Sequence, residues 1–221
     1  MSLIVYGGAI SPFVRKVRVF LAEKGLDYKL EQVSPFQPPE WFREISPLGR
    51  IPVLRDEAAG PDATLPDSSV ICAYLERLKP EPALYPKDNF AYGRALWYEE
   101  YADSELAANV GMGVFRPVVL AKMMGKEPDR AAAEKTLAEK LPKYFTYLDA
   151  EIGSKPFIAG GAFSVADISV ATHFVNLAHA GYGPDAKTWP NLARYLKEIH
   201  ARPSFAAVIA EERSFVSKLG L

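Results

Sequence analysis

A run of prolines, Pro80, Pro82 and Pro86, divides this chain into two stretches with different hydrophobic patterns. Before it, short apolar runs of strand type alternate with helical repeats. After it, the strand pattern stops and only helical repeats continue. Over 221 residues, that change predicts two domains and not one enlarged core. The expected architecture is an α/β domain at 1–80, a linker at 81–88 and an all-α domain at 89–221.

In the first stretch, Leu3 to Tyr6 is an apolar strand ended by Gly7-Gly8. Ser11 before Pro12 suits a helix N-cap followed by proline at the first helical position. Val14, Val17 and Leu21 then recur at helical spacing, and Gly25 is placed to end that helix. A second strand is expected from Tyr28 to Val33, a loop from Ser34 to Pro39, and a short helix near Trp41 to Ile45. Ile51-Pro52-Val53-Leu54 reads as a strand with a proline inside it, which deletes a ladder donor and needs an edge or a special conformation, such as a cis bond. A polar turn spans Asp56 to Asp62. A third helix should follow Asp67-Ser68, with Val70, Ile71, Tyr74, Leu75 and Leu78 inward. The second stretch predicts helices over Phe90 to Asn109, Arg130 to Ile152 with a kink at Pro142, Val165 to Ala180 and Leu192 to His200, with a last one after Ser204.

Composition removes several classes of function. Lys plus Arg number 26 against 27 Asp plus Glu, a formal net charge of -1. A dedicated nucleic-acid binder or basic membrane-surface protein needs a cationic excess, so neither partner is expected. The uncharged run from Leu3 to Val14 lacks preceding basic residues and is broken by Gly7, Gly8 and Pro12, unlike a signal peptide. No uninterrupted apolar stretch of about 20 residues occurs, since Arg116, Pro117 and Lys122 interrupt the segment from Val110 to Met124. The expected setting is therefore cytoplasmic. A single cysteine, Cys72, excludes an intramolecular disulfide and a multi-cysteine zinc site, and its apolar surroundings suit a buried core thiol. His173, His179 and His200 lack the i, i+4 pairing of a helical metal site and read as structural, so no metal is expected. Gly111-Met112-Gly113 lacks the third glycine and preceding strand of a dinucleotide fingerprint. Gly125-Lys126 is followed by Glu127, not by the hydroxyl residue of a phosphate loop.

Two helix starts remain as candidate chemistry. The Ser11 hydroxyl stands beside the positive end of a helix dipole and its open N–H groups, a place suited to an anion such as a thiolate. With no histidine or lysine base beside it in the sequence, serine is a poor nucleophile there and acts instead as a hydrogen-bond donor. Asp67 and Ser68 are capping residues in the first place. Together they also offer a carboxylate for an α-ammonium group and a helix start for an α-carboxylate.

In combination these segments resemble the cytosolic glutathione transferases, specifically the bacterial theta- or phi-like serine type. The family motifs stand here as Ser11-Pro12-Phe13-Val14-Arg15-Lys16-Val17, Pro47-Leu48-Gly49-Arg50-Ile51-Pro52-Val53-Leu54, Asp67-Ser68 and Phe163-Ser164-Val165-Ala166-Asp167. In the last, Ser164 and Asp167 would cap one helix reciprocally, with Phe163 stapled onto Ile168. The resemblance covers nearly the whole chain. It implies a thioredoxin-like first domain, an all-helical second one, glutathione as co-substrate and a homodimer.

Residue by residue, the resemblance implies a cis bond before Pro52, with Ile51 presenting its backbone to the cysteinyl part of glutathione. Asp67 and Ser68 would hold the γ-glutamyl end. Gln37 or Arg50 would reach the glycine carboxylate, Phe13 would lie in the binding motif, and Ser11 would supply the catalytic hydroxyl. Tyr6 stands near the position of the tyrosine used by other classes, where packing is the plainer role. A small hydrophobic electrophile would occupy an apolar pocket between the domains, for which Tyr101, Met112, Phe115 and Met123 are candidates. Serine in place of cysteine disfavours mixed-disulfide chemistry. Ser11-Pro12-Phe13 in place of Ser-Ser-Cys disfavours zeta-type isomerisation. A binding or scaffold protein that kept the fold without catalysis is the other class, and dehalogenation, peroxide reduction or isomerisation are further reactions open to the fold.

Overall fold

A computed structural model of the chain describes residues 3–220. The outer limits of the expected domains, at residues 1 and 221, lie outside that range. Two compact units meet between Leu84 and Tyr85, inside the proline-rich stretch.

The first unit runs β1 (Leu3–Tyr6), α1 (Pro12–Lys24), β2 (Tyr28–Glu31), α2 (Phe42–Ile45), β3 (Val53–Asp56), β4 (Thr64–Pro66) and α3 (Ser68–Leu78). The sheet order is β2-β1-β3-β4. β1 and β2 are parallel, joined by the crossover helix α1, while β3 is antiparallel to both β1 and β4. Pleat alternation sends Ile4, Tyr6 and Val53 to one face, where they pack with Val33 and the α2 residue Phe42. The opposite face carries Leu3, Val5 and Leu54, all essentially buried. There the Tyr74 hydroxyl of α3 donates to Asp56 Oδ2 at 2.6 Å.

Three expectations need correction. β2 ends at Glu31, so Val33 belongs to the core but not to the ladder. β3 begins at Val53, leaving Pro52 outside the ladder, where its missing N–H removes no bond. On α3 the buried apolar residues are Ile71, Cys72 and Leu75, whereas Val70 is exposed. Cys72 is a fully buried thiol.

Lys24, at the end of α1, closes this unit. Its ammonium is buried, lies 2.6 Å from Glu76 Oε2 on α3, and donates to the carbonyls of Pro80 and Pro82 at 3.2 and 2.6 Å. The same carboxylate accepts the Leu84 N–H. One ion pair thus fastens the departing chain to both helices.

The turn between β1 and α1 depends on Gly7. A Cβ there would lie 2.5 Å from Val14 Cγ2 and 3.3 Å from Ile51 Cβ, whereas one on Gly8 meets nothing closer than 3.9 Å. Val14 is fully buried and has nowhere to retreat.

The second unit opens with α4 (Asn89–Met123), longer than the helix expected over Phe90 to Asn109. Its turns are π-wound over Ala102–Leu120, where the Ala121 N–H reaches the Arg116 carbonyl five residues back. Ala102, Leu106, Val110, Val114 and Val118 are all fully buried at four-residue spacing. An ordinary 3.6-residue turn would rotate such a stripe by about 40° at each step, and the wider winding reduces that drift. Gly113 sits against the helix that carries Thr136, since a Cβ there would lie 2.6 Å from Thr136 Cγ2. By length and composition alone α4 also suits a membrane span, although its stripe packs on other helices of this unit.

The remaining helices are α5 (Arg130–Glu139), α6 (Leu141–Ile152), α7 (Val165–His179), α8 (Pro190–His200) and α9 (Pro203–Ser217). Pro142 therefore sits in the first turn of a new helix and does not kink a long one. The last helix starts at Pro203, one residue before Ser204. All three histidines are accounted for inside this unit. His173 is buried 3.9 Å from Asp103 Oδ1, His179 lies 2.8 Å from the buried Glu212 carboxylate, and His200 Nε2 donates to the Ala171 carbonyl at 2.9 Å.

At the head of α7, Ser164 and Asp167 form the reciprocal capping box. The Asp167 carboxylate is completely buried and accepts from Ile158 N–H at 2.9 Å, Ser164 N–H at 2.9 Å, the Ser164 hydroxyl at 3.2 Å and the Tyr195 hydroxyl at 2.8 Å. It joins the preceding loop, α7 and α8. Burial outweighs these donors and raises the carboxyl from 3.8 to about 6.

Three outcomes follow for stability. Replacing Asp167 by Asn turns an amide N–H₂ toward a backbone N–H whichever way it sits, so urea unfolding at pH 7 should show a loss of about 1–3 kcal/mol. The folded chain takes up the Asp167 proton before the unfolded one does, so its stability relative to D167N should increase as pH falls from 7 toward 4, by up to about 3 kcal/mol. An advantage over D167N that shrinks on acidification would show that the donors outweigh burial. Gly7→Ala should cost about 1–3 kcal/mol by overpacking against Val14, while Gly8→Ala should be nearly neutral.

Candidate functional site

Register gathers the candidate segments. Tyr6 pairs with Glu31 on one side and Val53 on the other, and Val53 pairs with Pro66. This row closes one end of the sheet. β1, β2 and β4 leave it, and β3 enters it. The Gly7–Ser11 turn, the loop containing Gln37, the Ile51-Pro52 dipeptide and the Asp67-Ser68 pair therefore all emerge from the same end. Loops beyond strand ends, next to helix starts, are the usual place for ligands in sheets of this kind.

Ser11 caps α1, and its Oγ accepts the Val14 N–H at 3.5 Å. Its own N–H donates to the Gly8 carbonyl at 3.0 Å, which holds the turn closed. Because a hydroxyl has one proton and two lone pairs, capping leaves the Ser11 O–H able to donate. Phe13 is half-buried in the first turn of the helix.

The Ile51–Pro52 bond is cis, as the resemblance implied. The Ile51 side chain rests against the glycine turn, with Cβ 3.3 Å from the position of a Gly7 Cβ and Cδ1 3.9 Å from that of Gly8. Ser46 steadies the approach by donating to the Arg50 carbonyl at 2.7 Å.

Asp67 has φ 83°, the one non-glycine positive φ among the described residues. Its Oδ1 accepts the N–H groups of Ser69 and Val70 at 2.9 and 3.2 Å. A left-handed aspartate is strained by about 1–3 kcal/mol, and such strain gathers at functional sites. Ser68 is buried beside it.

Sequence reasoning passed over the next residue. Ser69 Oγ accepts from the fully buried Lys16 ammonium of α1 at 2.9 Å. Lys16 stands in the α1 motif, but the segment from Val14 to Leu21 also carries Arg15 and Arg18, so it does not stand out. Gln37 and Arg50 are exposed. Tyr6 lies in the α2 layer, with its ring 5.6 Å from that of Trp41 and the Arg55 guanidinium 5.7 Å away. Burial raises its phenol above the ordinary range, which fits packing.

The four electrophile candidates lie in the second unit. Tyr101 and Phe115 are buried, while Met112 and Met123 are exposed. The Tyr101 ring stacks among Trp97, Tyr144 and Tyr147, and burial holds its hydroxyl protonated far above neutral pH. Among the described residues, no group of three or more His, Cys, Asp or Glu side chains is arranged to hold a metal.

Residues 5–83 match the glutathione S-transferase N-terminal domain, and residues 97–198 match the glutathione S-transferase C-terminal domain. The chain is 27% identical over 210 residues to glutathione S-transferase DHAR3, chloroplastic, of Arabidopsis thaliana, covering 93% of this chain and 71% of that one. It is 26% identical over 211 residues to FtsZ-localized protein A of Caulobacter vibrioides, covering 91% and 88%. Its fold superposes on the crystal structure of a glutathione S-transferase from Rhodospirillum rubrum F11 with a TM-score of 0.84 at 29% identity, covering 93% of this chain and 91% of that one. With one family domain matched in each unit and the fold shared throughout, the chain belongs to the glutathione S-transferase family.

Proposed function

We propose that this protein binds glutathione as co-substrate, holds its thiol as a thiolate through the Ser11 hydroxyl, and directs that thiolate at a small hydrophobic electrophile. The observation that carries this reading is the convergence of the Ser11-capped α1, the cis Ile51–Pro52 dipeptide and the strained Asp67 start of α3 at one end of the sheet. In this reading Ile51 offers its backbone to the cysteinyl residue. Asp67 and Ser68 take the γ-glutamyl group, and Phe13, Pro52, Gln37 and Arg50 complete the binding surface. This makes the chain a serine-type member, working as a homodimer in the cytoplasm, with detoxification of electrophiles as its role. Tyr101, Met112, Phe115 and Met123 are the side chains from which an electrophile surface is drawn.

A thiol with pKa about 8.5 is only about 3% thiolate at pH 7. Lowering that pKa by about two units requires about 2.7 kcal/mol of preference for the anion. One charge-assisted hydrogen bond and a helix N-terminus supply an amount of that order. The thiol proton passes to solvent. The sulfur lone pair then forms a bond to the electrophilic carbon, and the leaving group departs with its bonding electrons. No general base is needed at that step.

A binding or scaffold role without catalysis is the second reading, favoured by the comparable likeness to FtsZ-localized protein A. Glutathione titration followed by thiolate absorbance in the ultraviolet separates the two. Wild type should lower the bound thiol pKa by about two units, and Ser11→Ala should bind glutathione yet return that pKa toward 8.5, with kcat reduced at least tenfold. Equal lowering in both proteins would remove Ser11 from the mechanism. Binding without any lowering, or no binding at all, would leave the scaffold reading.

A further inference from the structure

Lys16 occupies a position where packing alone would favour an apolar side chain. Its neighbours Arg15 and Val17 and its own side chain are fully buried, and α1 is otherwise held in place by Val14, Val17, Phe20 and Leu21. Burying an ammonium costs several kcal/mol unless hydrogen bonds offset it. One such bond goes to Ser69 Oγ at 2.9 Å, in the first turn of α3. An ammonium only donates, so the direction of this bond is settled, with the Ser69 oxygen accepting.

The consequence falls on the start of α3. Asp67 Oδ1 already takes the N–H groups of Ser69 and Val70, so the usual donors of a helix N-terminus are partly spent on the cap. That cap also brings a carboxylate, whose charge opposes binding of a second anion at the same turn. A site for an α-amino acid needs both signs, a carboxylate for the ammonium and a positive potential for the carboxylate. The Asp67 side chain meets the first need. Lys16, behind the same turn, meets the second.

We propose that Lys16 is a positioning residue for the γ-glutamyl α-carboxylate of glutathione, fixing the first turn of α3 through Ser69 and placing positive charge behind it. The inference rests on the glutathione reading above and adds to it a residue that acts on one ligand group only. Its bond goes to Ser69 at the start of α3, on the γ-glutamyl side of the proposed site, so Lys16 should act on binding and leave the chemical step alone.

The test compares glutathione with its analogue in which the γ-glutamyl α-carboxylate is replaced by a carboxamide, using 1-chloro-2,4-dinitrobenzene as electrophile. In Lys16→Met, KM for glutathione should increase about tenfold with kcat within twofold of wild type, while KM for the carboxamide changes less than twofold. Lys16→Arg, which keeps the charge, should retain glutathione KM within about threefold. Equal losses on both ligands, or a fall in kcat with KM unchanged, would show a structural role and overturn the proposal. Should Lys16→Met fail to fold, Ser69→Ala carries the same comparison, with an expected threefold selective loss. Calorimetry with wild type separates the two levels. Failure of wild type to bind glutathione overturns the underlying reading and this proposal together, whereas normal wild-type binding with an unselective variant overturns this proposal alone.

Discussion

The pairing of Tyr6 with Val53 is the contact on which the site depends. It joins the last residue of β1 to the first residue of β3, so whatever follows one must lie beside whatever precedes the other. The β4 register extends the row to Pro66 and the parallel β2 extends it to Glu31. Four segments distant in sequence are thereby delivered to one end of a four-stranded sheet. A slip of one residue would move Ile4, Tyr6 and Val53 off the α2 face and part the turn from the dipeptide. Hydrophobic burial on both faces makes that slip costly, so positional accuracy at the site is a by-product of core packing.

The second unit meets a different constraint. Helices have no register, and their relative placement must come from side-chain contacts. Asp167 joins three segments at once, since one buried carboxylate satisfies the preceding loop, the α7 cap and the Tyr195 hydroxyl of α8. Burial disfavours its charge, and four donors offset part of that cost. The α4 stripe and Gly113 provide the apolar counterpart, with backbone and side chains brought close enough that a methyl group at residue 113 would collide with Thr136. Specific polar contacts and close approach together do for this bundle what the ladder does for the sheet.

Much of the fold was legible because it rests on local rules. The strand over Leu3–Tyr6, the helix between Ser11 and Gly25 and the capping box at Ser164 and Asp167 each carry their signal within a few residues. β4 was not located, because Thr64–Pro66 is three residues long and ends in proline, below what alternation can reveal. α4 was cut short at Asn109 because Gly111, Gly113 and Pro117 normally end a helix. Tertiary burial of a four-residue stripe overrode that preference. For the candidate site, Ser11, Pro52 and Asp67-Ser68 were legible as caps and as an oddly placed proline. Lys16 with Ser69 was not, since the two are 53 residues apart and Lys16 is one of three cations between Val14 and Leu21.

Serine suits this site for a reason of charge. On the proposed reading, a thiolate bound at the start of α1 would meet an N-terminus whose Val14 N–H is already shared with the Ser11 oxygen. A charged base there would stand next to an α1 whose Arg15, Lys16, Arg18 and Lys24 are already buried. Each of these cations carries a desolvation cost that must be met by partners, as Glu76 and two carbonyls meet it for Lys24. A neutral hydroxyl adds a directed donor without adding another charge to that cost. It also leaves the positive potential of a cation-rich helix to act on the anion that arrives, and not on a resident carboxylate or imidazole. On the proposed reading, the cap that forms α1 thus places a neutral donor where an arriving thiolate would be held.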